Sequence, residues 1–244
     1  MSAPDLTLFG DEATAARLAT KFAAIDTQKF LRLAIEDLFA GQIALVSSFG
    51  ADSAVLLHMV AQIDKALPVV FIDTRVLFEE TLAYRDQLTG HLGLTNVINV
   101  PPNPETLAKE DPENFLWASD PDRCCEIRKV VPLAEALTGY EAWITGRKRF
   151  QAATRASLSL FETEGGKVKI NPLAGWSASE ILAYLDTFAL PRHSLVAKNY
   201  PSIGCIPCTS PVRPGEDARA GRWRGKGKLE CGIHTAALAP SDNL

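Results

Sequence analysis

The chain predicts an α/β fold: a doubly wound, mostly parallel sheet with helices on both faces, followed by a flexible C-terminal tail. Three observations lead there. From residue 43 onwards short apolar runs alternate with longer helical patterns, the order expected of parallel strands and their crossover helices. The 244 residues are 47% hydrophobic and 22% charged, enough apolar content for a full core, so one domain with appended segments suits the length better than two. A Gly165-Gly166 pair between two strand-like runs marks one antiparallel hairpin, expected at a sheet edge.

Residues 14–39 carry Leu18, Phe22, Ile25, Phe30, Leu33 and Leu38 at helical spacing and predict one or two lead-in helices covering an edge of the core. IALVSS (43–48) reads as a first strand, FGADS (49–53) as a turn, SAVLLHMVAQI (53–63) as a helix and PVVFID (68–73) as a second strand. FEETLAYRDQLTGHLG (78–93) is a helix, NVINV (96–100) a third strand, EIRKVVPLAEAL (126–137) a helix and EAWITG (141–146) a fourth strand. SLFETEGGKVKINPL (159–173) is the hairpin, and SASEILAYLDTFAL (177–190) a capped amphipathic helix. After Leu190 regular signals stop, and residues 211–232 are rich in Gly and Arg. The expected division is a helical lead-in (1–40), an α/β domain (41–210) and a flexible tail (211–244), with no internal repeat.

Charge and patterning exclude several classes. A net charge of −4 argues against a general nucleic-acid binder and points to a small partner, while local basic runs still suit a small anion. The first residues lack the apolar core of a signal peptide, and no apolar stretch approaches eighteen residues, so the expectation is a cytoplasmic protein with no membrane segment. Five cysteines in such a chain argue for metal or catalytic use over a disulfide framework.

Those five divide into four plus one. Cys124 and Cys125 are adjacent, Cys205 and Cys208 form a Cys-x-x-Cys pair, and Cys231 stands alone in Glu-Cys-Gly-Ile-His. Adjacent helical residues point about 100° apart, so the first pair misses the usual zinc spacing and fits a bulky 4Fe-4S cluster or a kinked helix start. Zinc and four inert buried cysteines remain as alternatives. Asp120-Pro121-Asp122 supplies a helix start whose dipole favours the thiolates. Arg128 and Lys129 follow Cys124 and Cys125 by four residues, each sharing a helix face with one of them; the alternative is a pair of solvated charges. Around the lone cysteine, Arg213, Arg219, Arg222, Arg224, Lys226 and Lys228 outnumber Glu216 and Asp217. Such a setting lowers a thiol pKa and attracts an anionic substrate, which makes Cys231 a candidate nucleophile and His234 a candidate helper. A solvated charge run with an inert cysteine and a polar tail histidine is the competing reading.

Two further motifs suit anions. Ser48-Phe49-Gly50-Ala51-Asp52-Ser53 lies between a strand and a helix, where unpaired N–H groups make a cradle for phosphate or sulfate, unless it is an ordinary turn capped by Asp52 or Ser53. It is not a Walker loop. Gly146-Arg147-Lys148-Arg149, with Gln151 and Arg155 beyond it, comes after the fourth strand, where open α/β sheets bind ligands; a cationic surface loop is the alternative.

The 48–53 hexamer resembles the S-x-G-x-D-S loop of the PP-loop, or adenine nucleotide alpha-hydrolase-like, superfamily. Joined with Cys-Cys, Cys-x-x-Cys and Glu-Cys-Gly-Ile-His, it resembles the assimilatory adenylylsulfate (APS) and phosphoadenylylsulfate (PAPS) reductase family, over roughly residues 43–234, and its four extra cysteines resemble the 4Fe-4S branch. The resemblance implies one 4Fe-4S cluster per subunit on Cys124, Cys125, Cys205 and Cys208, and Cys231 as the nucleophile that takes the sulfonate from adenylylsulfate and releases AMP. It implies a nucleotide site at Ser48, Gly50, Asp52, Phe71, Asp73, Lys129, Arg155, Arg219 and Arg222. It further implies a homo-oligomer, and a separate thioredoxin or glutaredoxin as reductant, since the fused thioredoxin-like domain of plant relatives is not in this sequence. One departure is Arg75, where many members carry Gly after Asp-Thr; it leaves open tolerance of a 3′-phosphate, and hence of phosphoadenylylsulfate. An ATP-dependent adenylating enzyme or a non-catalytic iron-sulfur sensor are the readings from other classes.

Overall fold

Alternate residues of the first apolar run face opposite ways, as a strand buried on both sides requires. In Ile43–Val46 (β1), Ile43 and Leu45 join one apolar layer while Ala44 and Val46 join the other. The computed structural model describes residues 12–22 and 24–234; the parts of the expected lead-in and tail at residues 1–11, 23 and 235–244 lie outside the described residues.

Around β1 the chain builds a six-stranded sheet from Val69–Ile72 (β2), Val97–Val100 (β3), Ala142–Thr145 (β4), Phe161–Glu164 (β5) and Lys167–Ile170 (β6), in the order β3-β2-β1-β4-β6-β5. β1 pairs in parallel with β2 and β4, and β6 pairs in parallel with β4. Only β5 runs against its neighbour, Phe161 opposite Ile170 and Glu164 opposite Lys167, so the hairpin stands at the edge as expected. Gly165 and Gly166 both take positive φ, 57° and 74°, which the tight turn demands.

Helices cover both faces. Glu12–Phe22 (α1), Thr27–Leu33 (α2, prolonged by a π-helical turn at Ala34–Leu38), Ser53–Ala61 (α3), Glu79–Leu92 (α4) and Ala178–Thr187 (α9) pack on the side of Ile43 and Leu45. Pro104–Glu110 (α5), Leu116–Ser119 (α6) and Pro121–Cys125 (α7) fill the crossover after β3. Val131–Ala136 (α8) covers the opposite face, where Leu133 and Leu137 meet Ala44, Val70 and Trp143. The predicted 177–190 helix starts in a capping box: Ser177 Oγ accepts the Glu180 N–H and the Glu180 carboxylate accepts the Ser177 N–H. No helix among the described residues is long and apolar enough to cross a membrane.

In two places the fold departs from the sequence reading. The stretch after Cys125 opens as a π-helical turn, Glu126–Val130, before α8 begins. Beyond Leu190 the chain forms short 3-10 turns and bends, and Trp223 from this irregular part is 3% exposed.

Candidate active site

Strands β1, β2 and β4 end on the same side of the sheet, at the point where the strand order reverses and open α/β sheets leave a crevice. A cavity of about 270 Å³ lies there. Ser48, Gly50 and Asp52 line it from the β1–α3 turn, Phe71 from β2, Lys129 from the π-helical turn, and Arg155, Arg219, Arg222 and Cys231 from later segments. Asp73 alone of the expected nucleotide residues is not on that lining; it is buried and its Oδ1 accepts the Arg75 N–H at 3.0 Å. Arg75 has φ +62°, the left-handed region that favours glycine.

The β1–α3 turn is not an ordinary capped turn. Asp52 makes no side-chain bond to the helix; its Oδ2 accepts from Lys148 Nζ at 3.2 Å and Gln151 Nε2 at 3.4 Å. Phe49, at φ +47°, is fully buried edge-on to Phe71 at 5.4 Å and so fixes the turn to the core. The 146–155 cations divide their labour. Lys148 steadies Asp52, and Arg147 pairs with Glu162 at 2.9 Å. Arg149 donates to the Leu158 carbonyl, and Arg155 forks onto Glu230.

The cations after the cysteine pair also separate. Arg128 turns into the protein, donating to the Thr74 carbonyl at 2.8 Å, Asp111 at 2.7 Å and Asn114 at 2.9 Å, so it faces no substrate. Lys129 takes the opposite role. Burial acts to lower its pKa, but Cys205, Cys231 and Cys125 outweigh it, and the ammonium stays charged at the cavity wall.

All four paired cysteines are buried free thiols. Burial pushes Cys124 up to about 12, aided by repulsion from Cys125, and likewise raises Cys125 and Cys208. Cys205 differs: burial raises it too, but Lys129, the Thr74 hydroxyl at 3.2 Å and Arg222 leave it below the ordinary thiol value. Each thiol senses others of the set, so the two pairs share one neighbourhood. Buried thiols that repel one another as thiolates are the donor set a cationic iron centre deprotonates on binding, so the residues fit such a group. Among the described residues no three His, Cys, Asp or Glu side chains are placed to share one metal ion.

Residues 211–234 run over this region. Trp223 donates its backbone N–H to the Cys208 carbonyl at 3.0 Å and packs on Cys205 and Cys208, with Cys231 against the same cluster. The Arg222 guanidinium lies 4.5 Å over the Trp223 ring. It fits because residue 204 is glycine: a Cβ there would sit 2.3 Å from Arg222 Nη2. Lys226 stacks on Trp117 and Lys228 pairs with Asp122. His234 lies parallel to Trp143 at 5.9 Å; burial, then Lys169 and three arginines, hold its pKa well below 6.5, so the imidazole is neutral. Sequence reasoning missed Trp223, Thr74 and Glu230. Only Glu230 left a trace, as the neighbour of Cys231.

Comparison with known proteins gives a consistent picture. Residues 42–211 match the model of the phosphoadenosine phosphosulfate reductase domain. The chain is 51% identical over 232 residues to the adenosine 5′-phosphosulfate reductase of Mesorhizobium japonicum, covering 95% of this chain and 91% of that protein. It is 41% identical to the protein of the same name from Mycolicibacterium smegmatis, over 91% of this chain and 94% of that one. Among solved structures, the phosphoadenylyl-sulfate reductase of Candida auris, a phosphate complex, superposes with a TM-score of 0.69 at 27% identity, covering 83% of this chain and 98% of that one. The FMN adenylyltransferase of Candida glabrata shares the fold at 16% identity and a TM-score of 0.53, over 96% of this chain and 89% of its own.

Proposed function

The chain belongs to the phosphoadenosine phosphosulfate reductase family, and from that premise we propose that it reduces adenylylsulfate to sulfite and AMP. It is an oxidoreductase acting on sulfur. One observation carries the choice of chemistry: Lys129, Arg155, Arg219, Arg222 and the half-exposed thiol of Cys231 converge on one cavity at the strand ends. Cations of this density accept a nucleotide carrying both phosphate and sulfate, and they cancel the repulsion an approaching thiolate would meet.

In this reading Cys231 Sγ attacks the sulfate sulfur. The bond from sulfur to the bridging oxygen breaks, AMP leaves with that electron pair, and Cys231 becomes an S-sulfonate. A thiolate of reduced thioredoxin or glutaredoxin then attacks Cys231 Sγ, and sulfite departs with the electrons of the S–S bond. A second donor thiol resolves the mixed disulfide. Two thiols are thereby oxidised and sulfur is reduced by two electrons. Ser48, Gly50 and Asp52 line the nucleotide end of the cavity, with Phe71 beneath, while Lys129 and Arg222 face the sulfate beside Cys231. Cys124, Cys125, Cys205 and Cys208 would hold one 4Fe-4S cluster per subunit. When bound, it supplies rigidity and an electrostatic environment beside Lys129, electrons entering through thiols. Residues 41–210 act as the nucleotide-binding domain and 211–244 as the segment delivering Cys231. A cytoplasmic setting, a separate reductant protein and a homo-oligomeric assembly complete the proposal.

The Arg75 side chain is 58% exposed, pairs with Asp73 at 3.5 Å and stands off the cavity lining, so this reading assigns it no contact with the nucleotide. The test is anaerobic sulfite release from matched adenylylsulfate and phosphoadenylylsulfate with reduced thioredoxin. The expected result is a strong preference for adenylylsulfate, with no sulfite from Cys231→Ser. Sulfite produced normally by that variant would overturn the mechanism, a preference for the 3′-phosphorylated nucleotide would change the substrate, and no sulfite from either would point to ATP chemistry.

A further inference from the structure

The two arginines with the strongest claim on a substrate anion already hold one. Arg155 meets the Glu230 carboxylate with both arms of its fork, Nε to Oε1 at 2.9 Å and Nη2 to Oε2 at 2.9 Å, and Arg219 Nη2 adds a third contact at 3.2 Å. This is the geometry in which a guanidinium receives a sulfate or phosphate. All three residues line the cavity, and Glu230 precedes Cys231 directly. Burial works against the carboxylate, but the two arginines outweigh it and keep it ionised.

The Arg155 half of the fork does not depend on Glu230 for its shape, because Arg155 Nη1 is held from behind by Gln151 Oε1 at 2.8 Å. Arg219 Nη2 also donates to the Leu229 carbonyl at 2.9 Å, on the same segment as Glu230. Gln151 in turn reaches Asp52 in the β1–α3 turn at 3.4 Å, so the fork is tied to the sheet. Charge is also unequal, since two guanidinium groups face one carboxylate while Arg222 and Lys129 share the cavity wall. A more highly charged oxyanion would therefore gain more from the fork than Glu230 does.

We propose that Glu230 is an internal surrogate for the substrate's anion: it occupies the Arg155–Arg219 fork until a tetrahedral oxyanion takes its place, and its departure releases the adjoining segment that carries Cys231. Anion binding and freedom of the nucleophile are then one event. The identity of the physiological anion rests on the adenylylsulfate reading above, whereas the exchange itself rests only on the fork.

Two measurements on the cluster-loaded protein test this. In a Cys231→Ser background, which binds nucleotide without reacting, adding Glu230→Gln should tighten adenylylsulfate binding at least fivefold, because a neutral amide competes poorly for two guanidinium groups. Unchanged or weaker binding would show that Glu230 supports the bound state, and the proposal fails. The second uses inorganic sulfate against chloride at matched ionic strength and follows trypsin cleavage after Lys226 and Lys228. Sulfate should speed cleavage about threefold or more in the otherwise unaltered chain and leave Glu230→Gln, already cleaved faster, unaffected. Cleavage that sulfate slows or does not change overturns the surrogate role. Should neither Cys231→Ser protein bind adenylylsulfate, the substrate reading falls, and the sulfate arm still decides the exchange.

Discussion

Asp111→Asn removes the charge from one half of a buried ion pair beside the paired cysteines. The Asp111 and Arg128 side chains are 3% and 4% exposed and meet at 2.7 Å. Asp111 Oδ1 also accepts the N–H groups of Phe115 and Leu116 at 2.7 and 2.9 Å, starting α6, while Arg128 holds the carbonyl of Thr74, whose hydroxyl touches Cys205. Breaking a buried pair by removing one partner costs about 3–5 kcal/mol, because the other charge is left uncompensated. Asparagine keeps a neutral acceptor for the two N–H groups, each bond contributing about 1 kcal/mol, so the expected loss is about 1–3 kcal/mol. In a domain of this size that is a fall in Tm of roughly 2–12 °C.

The same pair fixes the pH dependence. Burial would raise the Asp111 pKa, but the bond from Arg128 and the two N–H groups hold it below the ordinary carboxylate value. A depressed folded-state pKa gives stability that is complete above the unfolded value of about 3.9 and is lost as pH falls through the folded one. The gap between the native chain and Asp111→Asn should therefore be constant from pH 8 to about pH 5 and narrow below about pH 4. Anaerobic urea unfolding followed by tryptophan fluorescence across that range is the assay. A loss under about 1 kcal/mol at pH 7, or a gap that widens in acid, would overturn this account of the pair.

Two other residues give sharp expectations. Gly204→Ala sets a methyl group where Arg222 Nη2 now lies, so the guanidinium should leave Trp223 and the cavity wall. Adenylylsulfate binding should weaken about tenfold, the order of one charge-assisted contact, with Tm within about 3 °C, as isothermal titration and scanning fluorimetry would show. His193 is 1% exposed, and burial lowers its pKa to about 4, so the folded state holds it neutral while the unfolded chain takes up a proton below about 6.5. Stability should be full above pH 6.5 and fall by about 3 kcal/mol as pH descends to 4, a slope that His193→Gln should flatten in urea titrations at successive pH values.

The strands were legible because each is a short apolar run whose alternate residues both find a core, as Ile43 to Val46 do, and because two glycines can only make the turn at 165–166. Spacing alone set Cys124 beside Cys125 and Cys205 near Cys208, but not the packing of Cys231 against the second pair. What the sequence did not reveal depends on partners far along the chain. Arg128 and Lys129 each stand four residues after a cysteine, yet one enters the protein to meet Asp111 and the other reaches the cavity, partners that lie far along the chain. Helices α5 and α6 are too short to carry a periodic signal, whereas the start of α7 was legible in Asp120-Pro121-Asp122. Glu230 meets Arg155 across 75 positions, a pairing that no local pattern encodes.

The order of residues in the cavity also sets an order in time. All six strands are complete by Ile170, the four paired cysteines by Cys208, and the platform on which Arg222 rests by Trp223, whereas Cys231 comes after all of them. During synthesis the amino-terminal portions of a domain emerge first. The sheet can therefore take shape on the ribosome before the segment that carries the reactive thiol has emerged, so a half-built protein presents its strands with no nucleophile to misdirect.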